Sequence, residues 1–216
     1  MRSVSLQASE IKKKFGRRTI FSGINIALRE SDSLAVTGRN GSGKSTLLKI
    51  LAGLLSPTAG SVGLTVDGTR VAPEDAFVHL GFVAPYLQLY DEFTAWENLS
   101  LARRIRGIEA PDGDLVRLLE RVGLEARKDD LLRTFSSGMK QRLKYAFALL
   151  HRPPVLLLDE PRANLDPEGI AVVYRIIKEQ REHGIAVIAT NDAEDLTLCG
   201  KVIQLDTAGR PGGKAA

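Results

Sequence analysis

The sequence has 216 residues, of which 44% are hydrophobic and 26% are charged, a composition typical of a soluble globular protein and unlike that of a disordered or fibrous one. This length allows one large domain with a well-buried core and is too short for two such domains in tandem. The formal net charge of +4, from 30 basic and 26 acidic residues, is a weak bias that is compatible with an anionic partner or with none.

The sequence does not indicate membrane insertion or secretion. No stretch approaches the roughly eighteen consecutive apolar residues that suggest a membrane-spanning helix, and the polar start MRSVSLQASE is unlike a secretory signal peptide. The single cysteine, Cys199, cannot form an internal disulfide, which agrees with a reducing compartment. We therefore expect the chain to remain in the cytoplasm.

The first part of the chain has the pattern of strands. Apolar and polar residues alternate in residues 4–9 and again in residues 24–28, as they do in half-buried strands. After a turn at residues 56–60, the alternation resumes in residues 61–66. These stretches predict an antiparallel β portion at the N-terminal end.

Residues 38–46, GRNGSGKST, match the pattern G-x-x-x-x-G-K-[ST] in full. An apolar run precedes them and a helical pattern follows, which is the context of a phosphate-binding loop. Glycines let backbone N–H groups approach phosphate oxygens, and a helix N-terminus adds partial positive charge. We predict that Lys44 reaches the β- and γ-phosphates and that Ser45 binds Mg²⁺. The predicted nucleotide-binding residues here are Gly38, Arg39, Asn40, Gly41, Ser42, Gly43, Lys44, Ser45 and Thr46.

Residues 91–150 have helical spacing and predict an inserted α-helical lobe. A first helix would bury Trp96 and Leu99, with Ile105 as a further candidate. A second helix spans residues 115–122, and a third runs from residue 138 to about residue 150 with Ser136 or Ser137 as its N-cap.

Two continuous apolar runs follow, residues 155–158 and 186–189, as expected of strands buried on both faces of a parallel sheet. The segment between them predicts a helix capped by Asp166. Strand, helix and strand make a βαβ unit. The predicted fold class is α/β: a P-loop NTPase core with a mainly parallel sheet, an N-terminal antiparallel β portion and an inserted α-helical lobe.

The predicted domain organisation follows from these patterns. We expect one domain over residues 1–208, with the helical lobe at about residues 91–150 inserted into a core formed by residues 1–90 and 151–208. Residues 209–216 are rich in glycine and small side chains and are expected to form a flexible tail.

Two adjacent acids, Asp159 and Glu160, follow the apolar run 155–158, at the strand end where open α/β sheets bind ligands. We predict that Asp159 and Ser45 hold Mg²⁺. Glu160 would orient or deprotonate the water that attacks the γ-phosphate.

With these motifs in this order, the sequence resembles the ATP-binding-cassette (ABC) ATPases over nearly its whole length. The segment FSSGM is similar to the family's signature LSGGQ, and ANLD is similar to its D-loop. Phe15 stands where the family has an aromatic residue that stacks on adenine. The implied signature residues are Phe135, Ser136, Ser137, Gly138 and Met139, and the implied D-loop residues are Ala163, Asn164, Leu165 and Asp166.

The resemblance implies a head-to-tail dimer, in which the signature of one chain closes on the nucleotide held by the other. Ser136, the backbone of Ser137 and Gly138, and the following helix N-terminus would donate hydrogen bonds to the far γ-phosphate. The implied cofactors are ATP and Mg²⁺. The implied partner is an identical or homologous cassette.

Two positions depart from the family pattern. Pro85 stands where the family has a metal-contacting glutamine, and Gln88 lies three residues later. Either the loop is reshaped so that Gln88 serves, or another group or a water completes the metal shell. Asn191 stands where the family usually has a histidine that contacts the γ-phosphate. Asparagine donates a hydrogen bond but carries no positive charge, so with Glu160, Lys44 and Asn191 as the catalytic residues we expect slow ATP hydrolysis.

The leading function is ATP hydrolysis that powers a separate transmembrane permease from the inner face of the cell membrane. Apolar residues between 82 and 93 would dock that permease, and the small size resembles the short cassettes of haem-exporter-like systems. The alternatives are a soluble, non-transport ABC ATPase and a cassette that binds ATP with little hydrolysis. No direct nucleic-acid partner is expected, because the basic clusters lack interleaved aromatic residues.

Overall fold

The structure, a computed structural model, describes residues 3–109 and 111–205. The predicted tail, residues 209–216, and the predicted domain end at residue 208 lie outside these ranges. The strands are β1 (Val4–Phe15), β2 (Arg18–Arg29), β3 (Ser33–Thr37), β4 (Ala59–Val66), β5 (Thr69–Val71), β6 (Leu80–Val83), β7 (Val155–Asp159), β8 (Ile185–Ala189) and β9 (Lys201–Gln204). The α-helices are α1 (Lys44–Leu51), α2 (Ala95–Ile105), α3 (Asp112–Arg121), α4 (Ser137–Leu149), α5 (Pro167–His183) and α6 (Ala193–Leu196).

An antiparallel sheet forms the N-terminal part of the fold, with strand order β2-β1-β4-β5. In its register, Leu6 of β1 lies opposite Leu28 of β2 and Leu64 of β4. These three leucines are buried, because alternate residues of each strand point to the same face of the sheet. The predicted antiparallel β portion is confirmed.

A second, parallel sheet has the strand order β6-β7-β8-β3-β9. Every residue of β7 and β8 is buried, as the continuous apolar runs predict for strands covered on both faces. Strands β7, β8 and β3 are direct neighbours, and their carboxyl ends meet at one edge of the sheet. The loops that follow them are therefore brought together at the edge where α/β sheets bind ligands.

The helices α2, α3 and α4 lie in the chain between β6 and β7, which confirms the predicted inserted helical portion. Their apolar faces share one cluster with Leu156 and Leu158 of β7. Helix α4 begins at Ser137, and Ser136 is its N-cap. Within the described residues, no helix is both long and apolar enough to cross a bilayer.

The expectation that Ile105 belongs to the buried side of α2 is wrong. Ile105 is 74% exposed, whereas Leu99 is fully buried. Ile105 lies six positions after Leu99, so the two are about 120° apart around the helix axis. The buried side of α2 is formed by Ala95, Asn98, Leu99 and Ala102.

His151, just after α4, is held in its neutral form. Its Nδ1 lies 2.7 Å from an Arg106 guanidinium nitrogen and its Nε2 lies 3.2 Å from the Leu80 carbonyl oxygen. The neutral tautomer that accepts from Arg106 and donates to Leu80 satisfies both contacts. Burial, together with the Arg106 charge, lowers the pKa of His151 to about 4.

This histidine predicts a pH dependence of stability. Its folded-state pKa lies below the ordinary value of 6.5, so its contribution to stability is complete above pH 6.5 and is lost as the pH falls toward 4. We expect His151→Gln, which keeps an acceptor for Arg106, to show a smaller loss of unfolding free energy over this range. Urea unfolding at several pH values measures both slopes; equal slopes would contradict the prediction.

Candidate functional site

The loop between β3 and α1 requires glycine at several positions. Gly38, Gly41 and Gly43 have φ angles of 140°, 79° and 105°, which L-residues with side chains rarely adopt. At Gly43, an added Cβ would lie 2.5 Å from the Cγ2 atom of Ile20. The loop is thus held against β2 by contacts that exclude any side chain at this position.

Lys44 is the first residue of α1, and its side chain turns back to the loop. It is only 7% exposed, and its Nζ donates to the Gly38 carbonyl at 2.7 Å and to the Arg39 carbonyl at 3.4 Å. Ser42 is buried, and its Oγ has no hydrogen-bond partner within the described part of the chain. Arg39, Asn40 and Gly41 are exposed. The loop therefore carries a buried ammonium beneath an exposed backbone turn, as a phosphate-binding loop does.

Asp159 ends β7 and faces Ser45 at the start of α1. It is 2% exposed, and its Oδ1 has no partner among the described residues. Burial raises the pKa of Asp159, with the nearby charge of Glu160 adding to the rise, while a hydrogen bond from Ser45 and the charges of Lys49 and Lys44 oppose it. A buried carboxylate with one free oxygen beside a hydroxyl offers the oxygen ligands that Mg²⁺ takes. These two residues fit a magnesium site.

Glu160 follows directly and has a left-handed backbone, with φ of 49°. Its N–H donates to the Ala189 carbonyl at the end of β8, at 2.9 Å. The side chain is exposed and helps line a cavity of about 420 Å³. The residues around that cavity are Glu160, Arg162, Ala163, Thr190, Asn191, Asp192 and Asp195.

Asn191 follows β8 and reaches the phosphate loop. Its Nδ2 donates to Oδ1 of Asn40 at 2.9 Å, between residues 151 positions apart. The preceding residue, Thr190, is fixed at both ends: its N–H donates to the Val36 carbonyl, and its hydroxyl donates to Asp195 at 2.6 Å. The geometry brings Glu160, Asn191 and the phosphate loop to one edge of the sheet.

A network of ion pairs and hydrogen bonds behind Asn191 was not predicted from the sequence. Arg162 pairs with Asp192 at 2.7 Å and with Glu194 at 2.9 Å. Buried Asp195 accepts from Thr190 and, at 2.8 Å, from the Tyr174 hydroxyl of α5. These contacts link the loop after β7 to the loop after β8. In the sequence, the only indication of this network is the three acids that follow Asn191, and acids at such a position are equally typical of a helix N-terminus.

The signature-like residues lie at the start of α4. Ser136 accepts from the Met139 N–H at 3.2 Å, Ser136 and Ser137 are exposed, and Phe135 is buried. An added Cβ at Gly138 would lie 2.9 Å from the Asn164 carbonyl oxygen. The signature and the D-loop of one chain are therefore in close contact.

The D-loop-like residues form the turn before α5. Asn164 has a φ of 63°, and Leu165 is partly buried. Asp166 caps α5 by accepting from the Gly169 N–H at 2.8 Å. The cap at Asp166 was predicted, and it is confirmed.

Pro85 and Gln88 lie in the segment after β6. The Pro85 carbonyl accepts from Lys144 of α4 at 2.8 Å, and Gln88 is exposed. Between them, the ring of Tyr86 lies beneath the ammonium of Lys49, with Nζ 4.2 Å from the ring centroid. From the sequence, the apolar residues of this segment were expected only to dock the permease, and the contact between Tyr86 and Lys49 was not predicted.

Phe15, the proposed adenine-stacking residue, ends β1 and is 51% exposed. The Nζ of Lys13 lies 4.9 Å from its ring centroid and also donates to the Ser56 carbonyl at 2.7 Å. The ring is thus held by a neighbouring cation while half of its surface stays open.

Comparison with known proteins gives consistent matches. A model of the ABC transporter family matches residues 21–163. The linearmycin resistance ATP-binding protein LnrL of Bacillus subtilis (strain 168) is 36% identical over 207 residues, covering 93% of this chain and 66% of LnrL. The uncharacterized ABC transporter ATP-binding protein YybJ of the same strain is 32% identical over 204 residues, covering 93% of this chain and 92% of YybJ. The chain thus spans just under two thirds of LnrL and most of YybJ.

A solved structure shows the same fold. It is a dimeric ATP-binding cassette in a post-hydrolysis state bound to ADP and phosphate, with a TM-score of 0.80 and 24% identity over 93% of this chain and 94% of the other. The predicted α/β fold class is therefore confirmed by an independent structure.

Proposed function

The chain belongs to the ABC transporter family, and we propose that it is an ATP-binding and ATP-hydrolysing subunit that drives a separate transmembrane permease. The observation that carries this proposal is the meeting of three neighbouring strand ends. The phosphate loop follows β3, Asp159 and Glu160 lie at the end of β7, and Asn191 follows β8. One edge of the sheet thereby combines a phosphate cradle, a metal-binding carboxylate and a second, exposed carboxylate.

Each residue has a separate part in the proposed reaction. Backbone N–H groups of the phosphate loop and the Lys44 ammonium bind the β- and γ-phosphates. Ser45 and Asp159 would hold Mg²⁺, which neutralises charge that develops on the phosphate oxygens. Glu160 positions the attacking water and takes its proton. Phe15 stacks on the adenine ring.

The site of one chain is incomplete, and we infer that a second cassette completes it. Ser136 and Ser137 are exposed at the N-terminus of α4, where their donors are available to a phosphate on another chain. Because Gly138 packs closely against Asn164, the signature and the D-loop would approach that nucleotide together, as one unit. ATP would then be part of the dimer interface.

The permease would dock beside the segment after β6. Tyr86, Tyr90 and Phe93 are 47%, 61% and 37% exposed, and the ring centroids of Tyr90 and Phe93 lie 5.3 Å apart. Exposed apolar side chains that cluster in this way mark interaction sites. Asn98 of α2 holds the backbone of this segment by accepting from the Tyr90 N–H and donating to the Tyr90 carbonyl. Docking there would place the chain on the inner face of the membrane.

Dimerisation tests this proposal directly. We expect Glu160→Gln to form dimers in the presence of ATP and Mg²⁺, because the substitution keeps the shape of the side chain but removes the charge needed to activate water. Sedimentation velocity should show a shift from monomer to dimer with ATP and no shift with ADP.

The matched control is the double variant Glu160→Gln with Lys44→Ala. It should remain monomeric, because the phosphate loop then lacks its buried ammonium. If Glu160→Gln stayed monomeric with saturating ATP and Mg²⁺, the composite site would be wrong. Parallel measurement of phosphate release by the unmodified protein separates a hydrolysing subunit from a cassette that only binds ATP.

A further inference from the structure

The contact between Lys49 and Tyr86 joins the proposed metal site to the segment that carries the family departure at Pro85. Lys49 follows Ser45 by four residues on α1, so both side chains lie on the same face of the helix. The Lys49 ammonium lies 4.2 Å from the centroid of the Tyr86 ring. At that distance the negative face of the ring attracts the cation.

The positive charge of Lys49 acts on Asp159 in the proposed metal site. Its attraction helps to oppose the burial that raises the pKa of Asp159. Burial, together with the charge of Asp159, raises the pKa of Tyr86 to about 12. Lys49, Tyr86 and Asp159 thus lie close enough together for their charges to influence one another.

A free ammonium in this neighbourhood would compete with Mg²⁺. The Asp159 Oδ1 atom has no partner among the described residues, and a lysine side chain that is not otherwise held would pair with it. Mg²⁺ would then have to displace that ammonium and bind near a like charge. Any group that holds Lys49 elsewhere therefore favours the metal.

Tyr86 is itself held firmly enough to do this. The carbonyl of Pro85 accepts from Lys144 at 2.8 Å, and the Ala84 carbonyl accepts from the same ammonium at 3.4 Å. The centroid of the Tyr86 ring also lies 6.5 Å from that of the Phe82 ring in β6. The backbone beside Tyr86 is therefore fixed to α4, and the ring is fixed beside the sheet.

We propose that Tyr86 is a positioning residue whose ring holds the Lys49 ammonium away from Asp159 and so keeps that carboxylate open to Mg²⁺. This role rests on the proposed magnesium site at Ser45 and Asp159. In the family pattern a metal-contacting glutamine stands at the position of Pro85. The proposal gives the next residue, Tyr86, an indirect role at the same metal site.

The test compares Tyr86→Leu, Tyr86→Phe, Lys49→Met and the double variant Tyr86→Leu with Lys49→Met. Calorimetry at saturating ATP in the Glu160→Gln background gives the Mg²⁺ concentration for half-maximal binding. We expect Tyr86→Leu to raise it about threefold, the size of an exposed cation–π contact. Tyr86→Phe keeps the ring and should not raise it. The double variant should match Lys49→Met, because without the ammonium there is nothing for the ring to hold.

A second readout needs no metal. Acylation of Lys49 by an N-hydroxysuccinimide ester, followed by mass spectrometry in EDTA, should be faster in Tyr86→Leu than in Tyr86→Phe. Melting temperatures check that each variant is folded. We expect the Tyr86 variants to fold, because the Tyr86 side chain is 47% exposed.

Three results would be decisive against the role of Tyr86. One is an unchanged Mg²⁺ requirement in Tyr86→Leu; another is a rise of the same size when Lys49 is already methionine; the third is equal acylation of Lys49 in the two tyrosine variants. If the Glu160→Gln parent bound no Mg²⁺ and ATP at all, the proposed function would fail as well, so the two failures are distinguishable.

Discussion

Replacing Asp159 by asparagine should lower ATP hydrolysis by about a hundredfold to a thousandfold, the usual cost of losing one precisely placed charged group at a reacting centre. The same change should raise the melting temperature of the nucleotide-free protein. Asp159 is 2% exposed, and one of its oxygens lacks a partner within the described residues. A buried carboxylate that is only partly paired destabilises the folded state, and asparagine removes the charge with little change of shape. Phosphate release and thermal unfolding in EDTA measure the two effects.

The gain in stability should depend on pH. Burial raises the pKa of Asp159 above its ordinary value of 3.8, so the folded state binds a proton at this site more tightly than the unfolded state does. The stability that this site contributes is complete below pH 3.8 and is lost as the pH rises through the raised pKa. The advantage of Asp159→Asn should therefore be small near pH 4 and larger near pH 7.

Glu160→Gln is the matched control for this experiment. Glu160→Gln should also lower hydrolysis, but because Glu160 is exposed it should raise the melting temperature much less than Asp159→Asn does, by relieving only the repulsion between Glu160 and Asp159. If Asp159→Asn melted at or below the temperature of the unmodified protein in EDTA, the carboxylate would not be the unfavourable charge that its burial indicates. Adding Mg²⁺ should stabilise the unmodified protein more than Asp159→Asn, because a bound cation compensates for the buried charge.

The parts of the site that could be predicted are those written in consecutive residues. The phosphate loop carries its own strand, glycines and helix within residues 33–51, and the strand before Asp159 is apolar at every position. These are local patterns, and hydrophobic periodicity is the main signal that a sequence offers for them. The same patterns predicted the cap at Asp166 and limited the cap of α4 to Ser136 or Ser137, of which the structure has Ser136.

The contacts that could not be predicted join residues far apart in the chain. Asn191 and Asn40 are 151 positions apart, and nothing in either neighbourhood indicates the other. The contact between Lys49 and Tyr86 depends on the position that the segment after β6 takes beside α1, which no periodicity specifies. Arg162 likewise meets Asp192 and Glu194 only because β7 and β8 are neighbours in the sheet.

Of the six described non-glycine residues with positive φ angles, two lie just after β7. Glu160 and Asn164 both have positive φ angles although neither is glycine, and such residues cost stability unless the surrounding structure holds them. The bond from the Glu160 N–H to the Ala189 carbonyl holds the first. The close packing of the Asn164 carbonyl against Gly138 holds the backbone at Asn164. The strained turn thereby connects the proposed catalytic carboxylate to the signature helix of the same chain.

Substituting histidine for Asn191 is expected to raise the turnover number for ATP by about tenfold with little change in KM. Asn191 already has a donor near the phosphate loop, through its bond to Asn40, so the positioning part of the role is retained. Histidine adds a positive charge that becomes more favourable as charge develops on the γ-phosphate. An interaction that is stronger in the transition state than in the ground state raises the turnover number rather than the affinity. Steady-state kinetics across ATP concentrations separate the two.

The pH profile and one control variant identify the cause of this acceleration. If the added charge is responsible, the ratio of turnover between Asn191→His and the unmodified protein should grow as the pH falls through about 6.5, where an unperturbed histidine gains its proton. Asn40→Ala frees the Asn191 amide without adding charge, and because Asn40 is itself a predicted nucleotide-binding residue, this variant should not raise turnover above that of the unmodified protein. A rise in Asn40→Ala as large as in Asn191→His would show that release of the Asn191 amide from Asn40, and not charge, limits the reaction. An unchanged or lower rate in Asn191→His would mean that the position beside Asn40 does not face the transferred phosphate.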